Sequence, residues 1–186
     1  MKFLKKHKGN IIFLALLAII FFTPIGFQLK VLVNRYINFA PSEITKEEQI
    51  KLSNYNWNLT DAKGNDIDFN KYKDKVILIN FWATWCPPCV AEMPSFQELY
   101  DSYKNEVVFL FVANDKAEKV TSFMKKENYT FPVQFESSAT PPELVSSSLP
   151  TTFILDKKGN IVMQKKGAAN WNSDKVRNLL DRLLKE

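Results

Sequence analysis

The sequence predicts an α/β domain with a central mixed β-sheet flanked by helices, carried behind an apolar amino-terminal segment. Three observations predict it. Val76-Ile77-Leu78-Ile79 and residues 107–112 are continuous apolar runs, the pattern of strands covered on both faces. Each is followed by a stretch in which apolar residues recur at helical spacing. Two further extended runs, residues 151–155 and 161–165, flank the turn Asp156-Lys157-Lys158-Gly159-Asn160, a hairpin signal. The order β–α–β–α, then β-hairpin, then α, argues a mixed sheet with helices on both faces.

Along the chain, Lys2, Lys5, Lys6 and Lys8 precede an apolar run over residues 11–29, interrupted only by Thr23, Pro24, Gly26 and Gln28. At ~1.5 Å per residue this reaches about 28 Å, close to the ~30 Å of a bilayer's hydrocarbon core. A proline is tolerated in such a helix, and the preceding lysines orient its start to the cytoplasm. Residues 1–33 are therefore expected to be a basic tail and transmembrane anchor. A cleaved signal peptide is the competing reading, but no small-x-small site follows the run. Either way the rest is exported to the outside of the cell membrane (periplasm or cell exterior), where disulfides form. Residues 34–56, polar from 41 onward, read as a spacer, and residues 57–186 as the folded domain.

Within that domain, Asp61-Ala62-Lys63-Gly64-Asn65-Asp66 is turn chemistry between two short extended runs, an amino-terminal hairpin. The first long helix is expected from about Pro88 to Tyr103, with Met93, Phe96, Tyr100 and Tyr103 on one face. Asp115 and Glu118 have the spacing of a capping box opening a helix with Val120, Phe123 and Met124 inward. A short strand near residues 133–135 follows, then a Ser- and Pro-rich loop or short helix to Ser148. A last amphipathic helix carries Val176, Leu179, Leu180 and Leu183.

Charge excludes one class of partner. The chain's net +5 comes from its start: residues 1–40 hold six basic and no acidic side chains, whereas residues 41–186 hold 19 basic and 20 acidic. A near-neutral domain has no electrostatic footprint for nucleic acid. The two cysteines are too few for a disulfide-stapled scaffold, and the single histidine, His7, is too remote for a zinc site. Val90 after the second cysteine excludes c-type haem attachment. No metal or organic cofactor is expected.

The chemistry concentrates in Phe81-Trp82-Ala83-Thr84-Trp85-Cys86-Pro87-Pro88-Cys89, which leaves the first central strand and enters the first long helix. A thiol at a helix amino terminus meets free N–H groups and the positive end of the macrodipole, which favour the thiolate. The two-residue gap lets Cys86 and Cys89 close a disulfide across one turn, with Cys89 deeper and acting second. Pro88 loses no hydrogen bond in the first turn, and Pro87 stiffens the loop.

This segment resembles the active site of thioredoxin-fold proteins, and within them the TlpA/ResA-like family of exported thiol–disulfide oxidoreductases. The resemblance runs from about Asn54 to Glu186. It includes Phe81-Trp82-Ala83 before the motif, Pro94 after it, and Leu149-Pro150-Thr151-Thr152 before a strand. It implies a thioredoxin-like fold, a cis Pro150 opposite Cys86, and a substrate groove formed by Trp85, Pro87, Pro88, Leu149 and Pro150. Asn80 stands where thioredoxin has a buried aspartate, which puts that residue's proton-relay role in doubt. Glu92 matches an acid of the ResA-like subgroup and shares a helix face with Cys89, a candidate acid/base. The resemblance implies protein disulfides as substrates, apocytochrome c among them, and a membrane thiol transporter as electron donor.

Three rival chemistries make different demands on the sequence. A disulfide-forming oxidase would run the same exchange backward; DsbA-type oxidases carry a sizeable helical insertion, for which this chain has little room. A peroxidase of the peroxiredoxin type needs Pro-x-x-x-Thr/Ser-x-x-Cys, but Ala83 and Cys86 stand three residues before Cys86 and Cys89. A binding-only module would not need both thiols, and both are present.

Overall fold

The computed structural model describes residues 8–37 and 39–186; the basic tail ahead of Lys8 lies outside the described residues. The chain runs α1 (Lys8–Phe22), α2 (Pro24–Ile37), β1 (Ile50–Lys51), β2 (Asn58–Asp61), β3 (Asp66–Asp68) and β4 (Ile77–Trp82). It continues α3 (Pro87–Tyr103), β5 (Val108–Ala113), α4 (Ala117–Glu127), β6 (Val133–Glu136), β7 (Thr151–Leu155), β8 (Asn160–Lys166) and α5 (Asp174–Lys185).

The eight strands form one sheet in the order β1-β8-β7-β4-β5-β6-β2-β3. β4, β5 and β6 are parallel; the remaining pairings are antiparallel. The expected hairpins at 61–66 and 156–160 both form. Because β4–α3–β5 and β5–α4–β6 step across the sheet in one direction, right-handed crossovers put α3 and α4 on one face. Buried residues of α3, α4 and α5 accordingly join Leu78, Trp82, Phe109, Phe111 and Ile154 in one core. The opposite face buries Ile77, Ile79, Leu110, Val112 and Phe153 against Trp57, Phe69 and Leu144. The strand pattern predicts helices on both faces; among the described residues, only the 3₁₀ turns Phe69–Tyr72 and Pro142–Leu144 supply helical residues to this second core.

Two further expectations are corrected. Part of the spacer at 34–56 is folded onto the sheet: Ile50 and Lys51 pair with Ile161 and Asn160, Glu43 bridges Met163, and Leu52 is buried. Backbone pairing at an edge needs no apolar period, so the polar composition conceals it. The apolar run at 11–29, expected as one span, breaks at Thr23, where α1 and α2 meet at 74°. Pro24 has no N–H to offer Ile20. Thr23 Oγ1 instead donates to the Ile19 carbonyl at 2.6 Å and accepts from Gly26 N–H at 3.3 Å. A side chain at Gly26 would collide with the Ile20 carbonyl, so glycine permits the bend. Among the described residues no single helix is long and apolar enough to cross a membrane; the bent pair passes that test only jointly.

Asp115 does not cap α4. The N-cap is Lys116, and the Asp115 carboxylate binds the Thr84 hydroxyl instead. A charge-assisted bond to the turn ahead of Cys86 has displaced the local cap.

Candidate active site

Strand β4 delivers the chain to the site. Its last residues, Phe81 and Trp82, lie beside Thr151 of β7 and Ala113 of β5, at the end where parallel strands leave room for a ligand. The turn Ala83–Trp85 then reverses direction, held by Cys86 N–H donating to the Ala83 carbonyl at 3.3 Å. Asp115 anchors Thr84 from the neighbouring strand end.

Cys86 is the N-cap of α3, and Pro87 and Pro88 occupy its first helical positions. Cys89 N–H donates to Cys86 Sγ at 3.3 Å. One of the helix's free amides is thus satisfied by sulfur, the arrangement that favours a thiolate once the pair is reduced. Cys86 and Cys89 are joined as a disulfide with their Cα atoms 5.2 Å apart. Cys86 is 4 % exposed and Cys89 fully buried, the order expected of an attacking and a resolving thiol.

Glu92 lies one turn below Cys89 and is almost completely buried. Its Oε1 accepts from Asn80 Nδ2 at 3.0 Å; its Oε2 accepts from Trp171 Nε1 at 2.9 Å and Ala169 N–H at 3.2 Å. Burial pushes its pKa up to about 8, against these three donors, which pull it down. Near neutral pH the proton therefore mostly stays on, so the carboxylate repulsion expected on Cys89 is weak and a proton is available instead. Asn80 also donates to Thr152 Oγ1 at 2.8 Å, while its Oδ1 is buried without a partner. A protonated Glu92 can donate to that oxygen if the amide turns over. The ring of Trp171 stacks on Phe96 at 5.2 Å between centroids, fixing the indole N–H on the carboxyl. Sequence reasoning missed Trp171, which sits in a loop with no local signature.

Leu149 and Pro150 lie directly ahead of β7, the strand neighbouring β4. The Leu149–Pro150 peptide is cis, as the resemblance implies. Pro150 directly precedes Thr151, which pairs with Phe81, so it stands beside the end of the strand that leads into the motif. Trp85 is 59 % exposed, as is Val145 at 62 %. Leu149 and Val145 line a cavity of about 120 Å³ with Phe81, Ala113, Leu144 and Ser146. A larger cleft of about 580 Å³ around Glu43, Asp156 and Arg182 is lined by none of the candidate site residues, while one of about 460 Å³ reaches Thr84, in the turn ahead of Cys86.

A mixed sheet whose central strand leads into a helix-capping Cys-x-x-Cys disulfide, with a cis-proline at the head of the neighbouring strand, defines a thiol–disulfide oxidoreductase of thioredoxin-like fold. The Redoxin family profile matches residues 45–183, and the chain belongs to that family, in its TlpA/ResA-like branch. It is 31 % identical over 168 residues to thiol-disulfide oxidoreductase ResA of Bacillus thuringiensis subsp. konkukian, covering 86 % of this chain and 90 % of the relative. Thioredoxin-like protein YneN of Bacillus subtilis is 32 % identical over 132 residues, covering 69 % and 76 %. Among solved structures, StoA from Bacillus subtilis superposes with a TM-score of 0.52 at 28 % identity, covering 70 % of this chain and 96 % of that one. A thiol:disulfide interchange protein DsbE from Chlorobium tepidum gives 0.61 at 23 % identity, covering 73 % and 98 %, a likeness of fold.

Proposed function

We propose that the protein reduces disulfides in exported proteins by dithiol–disulfide exchange, with Cys86 as nucleophile and Cys89 as resolving thiol. The observation that carries this reading is Cys86 Sγ at the α3 N-cap, accepting from Cys89 N–H and already bonded to Cys89. In the reduced protein the Cys86 thiolate attacks one sulfur of a substrate disulfide. The other substrate sulfur leaves as a thiolate and takes up a proton. Cys89 gives up its proton and attacks Cys86 Sγ, releasing the second substrate thiol. Two electrons pass from the dithiol to the substrate, and the Cys86–Cys89 disulfide remains for a donor dithiol to reduce.

Glu92 handles the proton of Cys89. Its ionised form takes up the proton that Cys89 gives up, and burial, which pushes the Glu92 pKa to about 8, leaves both forms accessible near neutral pH. Trp85, Pro87, Pro88, Leu149 and Pro150 form the groove that receives the substrate chain around its disulfide. α1 and α2 anchor the domain at the outer face of the cell membrane, within reach of a membrane thiol transporter as donor. Apocytochrome c before haem attachment is a substrate suited to this chemistry, and the relative named thiol-disulfide oxidoreductase ResA supports an assignment to thiol–disulfide exchange.

Two measurements test the reading. Cys89→Ser strands substrates as mixed disulfides on Cys86, which mass spectrometry identifies; no adducts in cells would defeat it. Equilibration with glutathione tests direction: a potential near about −120 mV would make the protein an oxidase instead.

A further inference from the structure

α2 carries two apolar faces on opposite sides. Phe27 and Val31 pack against Val90 and Ala91, the residues that follow Cys89 in α3, with Phe123 of α4 beside them. About half a turn round the helix, Ile25, Leu29, Leu32 and Tyr36 share a second stripe at the spacing i, i+4, i+7, i+11. These four are 73 %, 47 %, 48 % and 84 % exposed, and Val33 beside them 47 %. Lys30 and Arg35 lie on the flanks between the two faces, and α2 holds no acidic residue. The helix that precedes it, α1, exposes Ile11, Ile12, Phe13, Leu14, Leu16, Phe21 and Phe22 and meets α2 at 74° across a break that Gly26 permits.

We infer that α2 lies in the plane of the membrane interface, its outer stripe of Ile25, Leu29, Leu32 and Tyr36 sunk into the lipid and its inner face clamped to α3 beside Cys89. The inference rests on α1 being inserted in the membrane. α1 is too short to cross the hydrocarbon core alone; entering it along the bilayer normal, it leaves α2, through the 74° bend, within 16° of the membrane plane. An interfacial helix buries one face at the headgroup–acyl boundary and keeps basic residues at its margins, where long cationic side chains reach the phosphates. Lys30 and Arg35 occupy those margins. A water-facing stripe of this size on a monomer would be costly to leave bare, and its continuity with the exposed apolar surface of α1 makes lipid the occupant.

The consequence is a fixed geometry for the redox site. The domain does not hang on a free tether: α2 sets the flank of α3 about one helix diameter, ~10 Å, above the acyl boundary. Substrates and donors are then selected for disulfides and dithiols presented close to the membrane surface.

The test uses the full chain in vesicles of phosphatidylethanolamine and phosphatidylglycerol, with p-benzoylphenylalanine placed singly at Phe27, Leu32, Tyr36 or, in α1, Leu16. Vesicle flotation first reads the anchor. On illumination, the inference expects lipid adducts from Leu16, Leu32 and Tyr36, and from Phe27 a cross-link within the chain to the Val90–Ala91 region. Adducts from Leu16 alone keep the anchor and overturn the interfacial helix. Lipid adducts from all four positions mean that α1 and α2 have opened into one continuous span, which also overturns it. Failure to float with vesicles removes the anchor and the inference together. Insulin-disulfide reduction by the unmodified full chain in detergent reads the oxidoreductase chemistry separately.

Discussion

Glu92 of α3 and Trp171, ahead of α5, are joined by a buried hydrogen bond of 2.9 Å from the indole N–H to Oε2. The bond ties the helix that bears both cysteines to the carboxy-terminal third of the domain. It also sets how tightly a proton is held one turn below Cys89.

The pH dependence of stability follows from that proton. Glu92 binds it more tightly in the folded state, with a pKa of about 8 against 4.5 for the free side chain. Its contribution is complete below pH 4.5 and is lost as pH rises through about 8. The whole window spans on the order of 5 kcal/mol at ~1.36 kcal/mol per pH unit. Urea unfolding of the oxidised protein at about pH 5, 7 and 9 is expected to show falling stability. Glu92→Gln, whose amide can donate to the orphaned Asn80 Oδ1, is expected to flatten that slope. A Glu92→Gln variant with the same slope as the parent would rule Glu92 out as its source.

Trp171→Phe keeps the stack on Phe96 and removes the N–H. Ala169 N–H still serves Oε2, so the loss is expected at about 1–3 kcal/mol. Because the indole bond favours the ionised form, its removal raises the Glu92 pKa further, and the fall in stability moves to higher pH. The same urea series measures both effects. An unshifted pH profile would mean that the bond does not act on the proton.

These two residues also mark what a sequence can reveal. Cys86, Cys89 and Glu92 are legible as residues spaced along the head of one helix, Pro150 through the family resemblance of Leu149-Pro150-Thr151-Thr152, and buried strands such as β4 announce themselves by continuous apolar runs. The link from Glu92 to Trp171 spans 79 positions and depends on how α5 is brought back over α3, which no local pattern encodes. The same holds for Asp115, whose spacing to Glu118 reads as a cap while its carboxylate is drawn to Thr84 across the sheet. The two-residue β1 is hidden because backbone pairing alone holds it, and the break at Thr23 because proline in an apolar run fits a continuous membrane helix equally well.

Asp156→Ala provides a stability control distant from the sulfurs. Asp156 Oδ1 accepts from Lys158 N–H at 2.9 Å and Asn160 N–H at 2.8 Å, and Oδ2 from Asn160 Nδ2 at 2.7 Å. These bonds close the β7–β8 turn, whose Gly159 carbonyl accepts from Leu52 N–H at 2.9 Å and so holds the β1 segment. Alanine is expected to cost about 1–3 kcal/mol in urea unfolding, with the redox potential and exchange rate unchanged. A shifted potential would show that this turn communicates with the site.

The reactivity of Cys86 gives the most direct reading of the site. Reduction breaks the Cys86–Cys89 bond and leaves Cys86 Sγ at the head of α3, facing the Cys89 amide. Pro87 and Pro88 have no N–H, so the Cys89 amide, with the helix's positive end, is the first-turn donor left to stabilise this sulfur. A mostly protonated Glu92 adds little opposing charge near neutral pH. Alkylation of the reduced protein with iodoacetamide, followed across pH, is expected to give a Cys86 midpoint of about 7 or below, against ~8.5 for a free thiol. Cys89, fully buried, is expected to react far more slowly, and to stay slow in Cys86→Ser. A Cys86 midpoint at or above that of a free thiol would mean that the helix terminus does not stabilise the thiolate, and the exchange mechanism would lose its nucleophile.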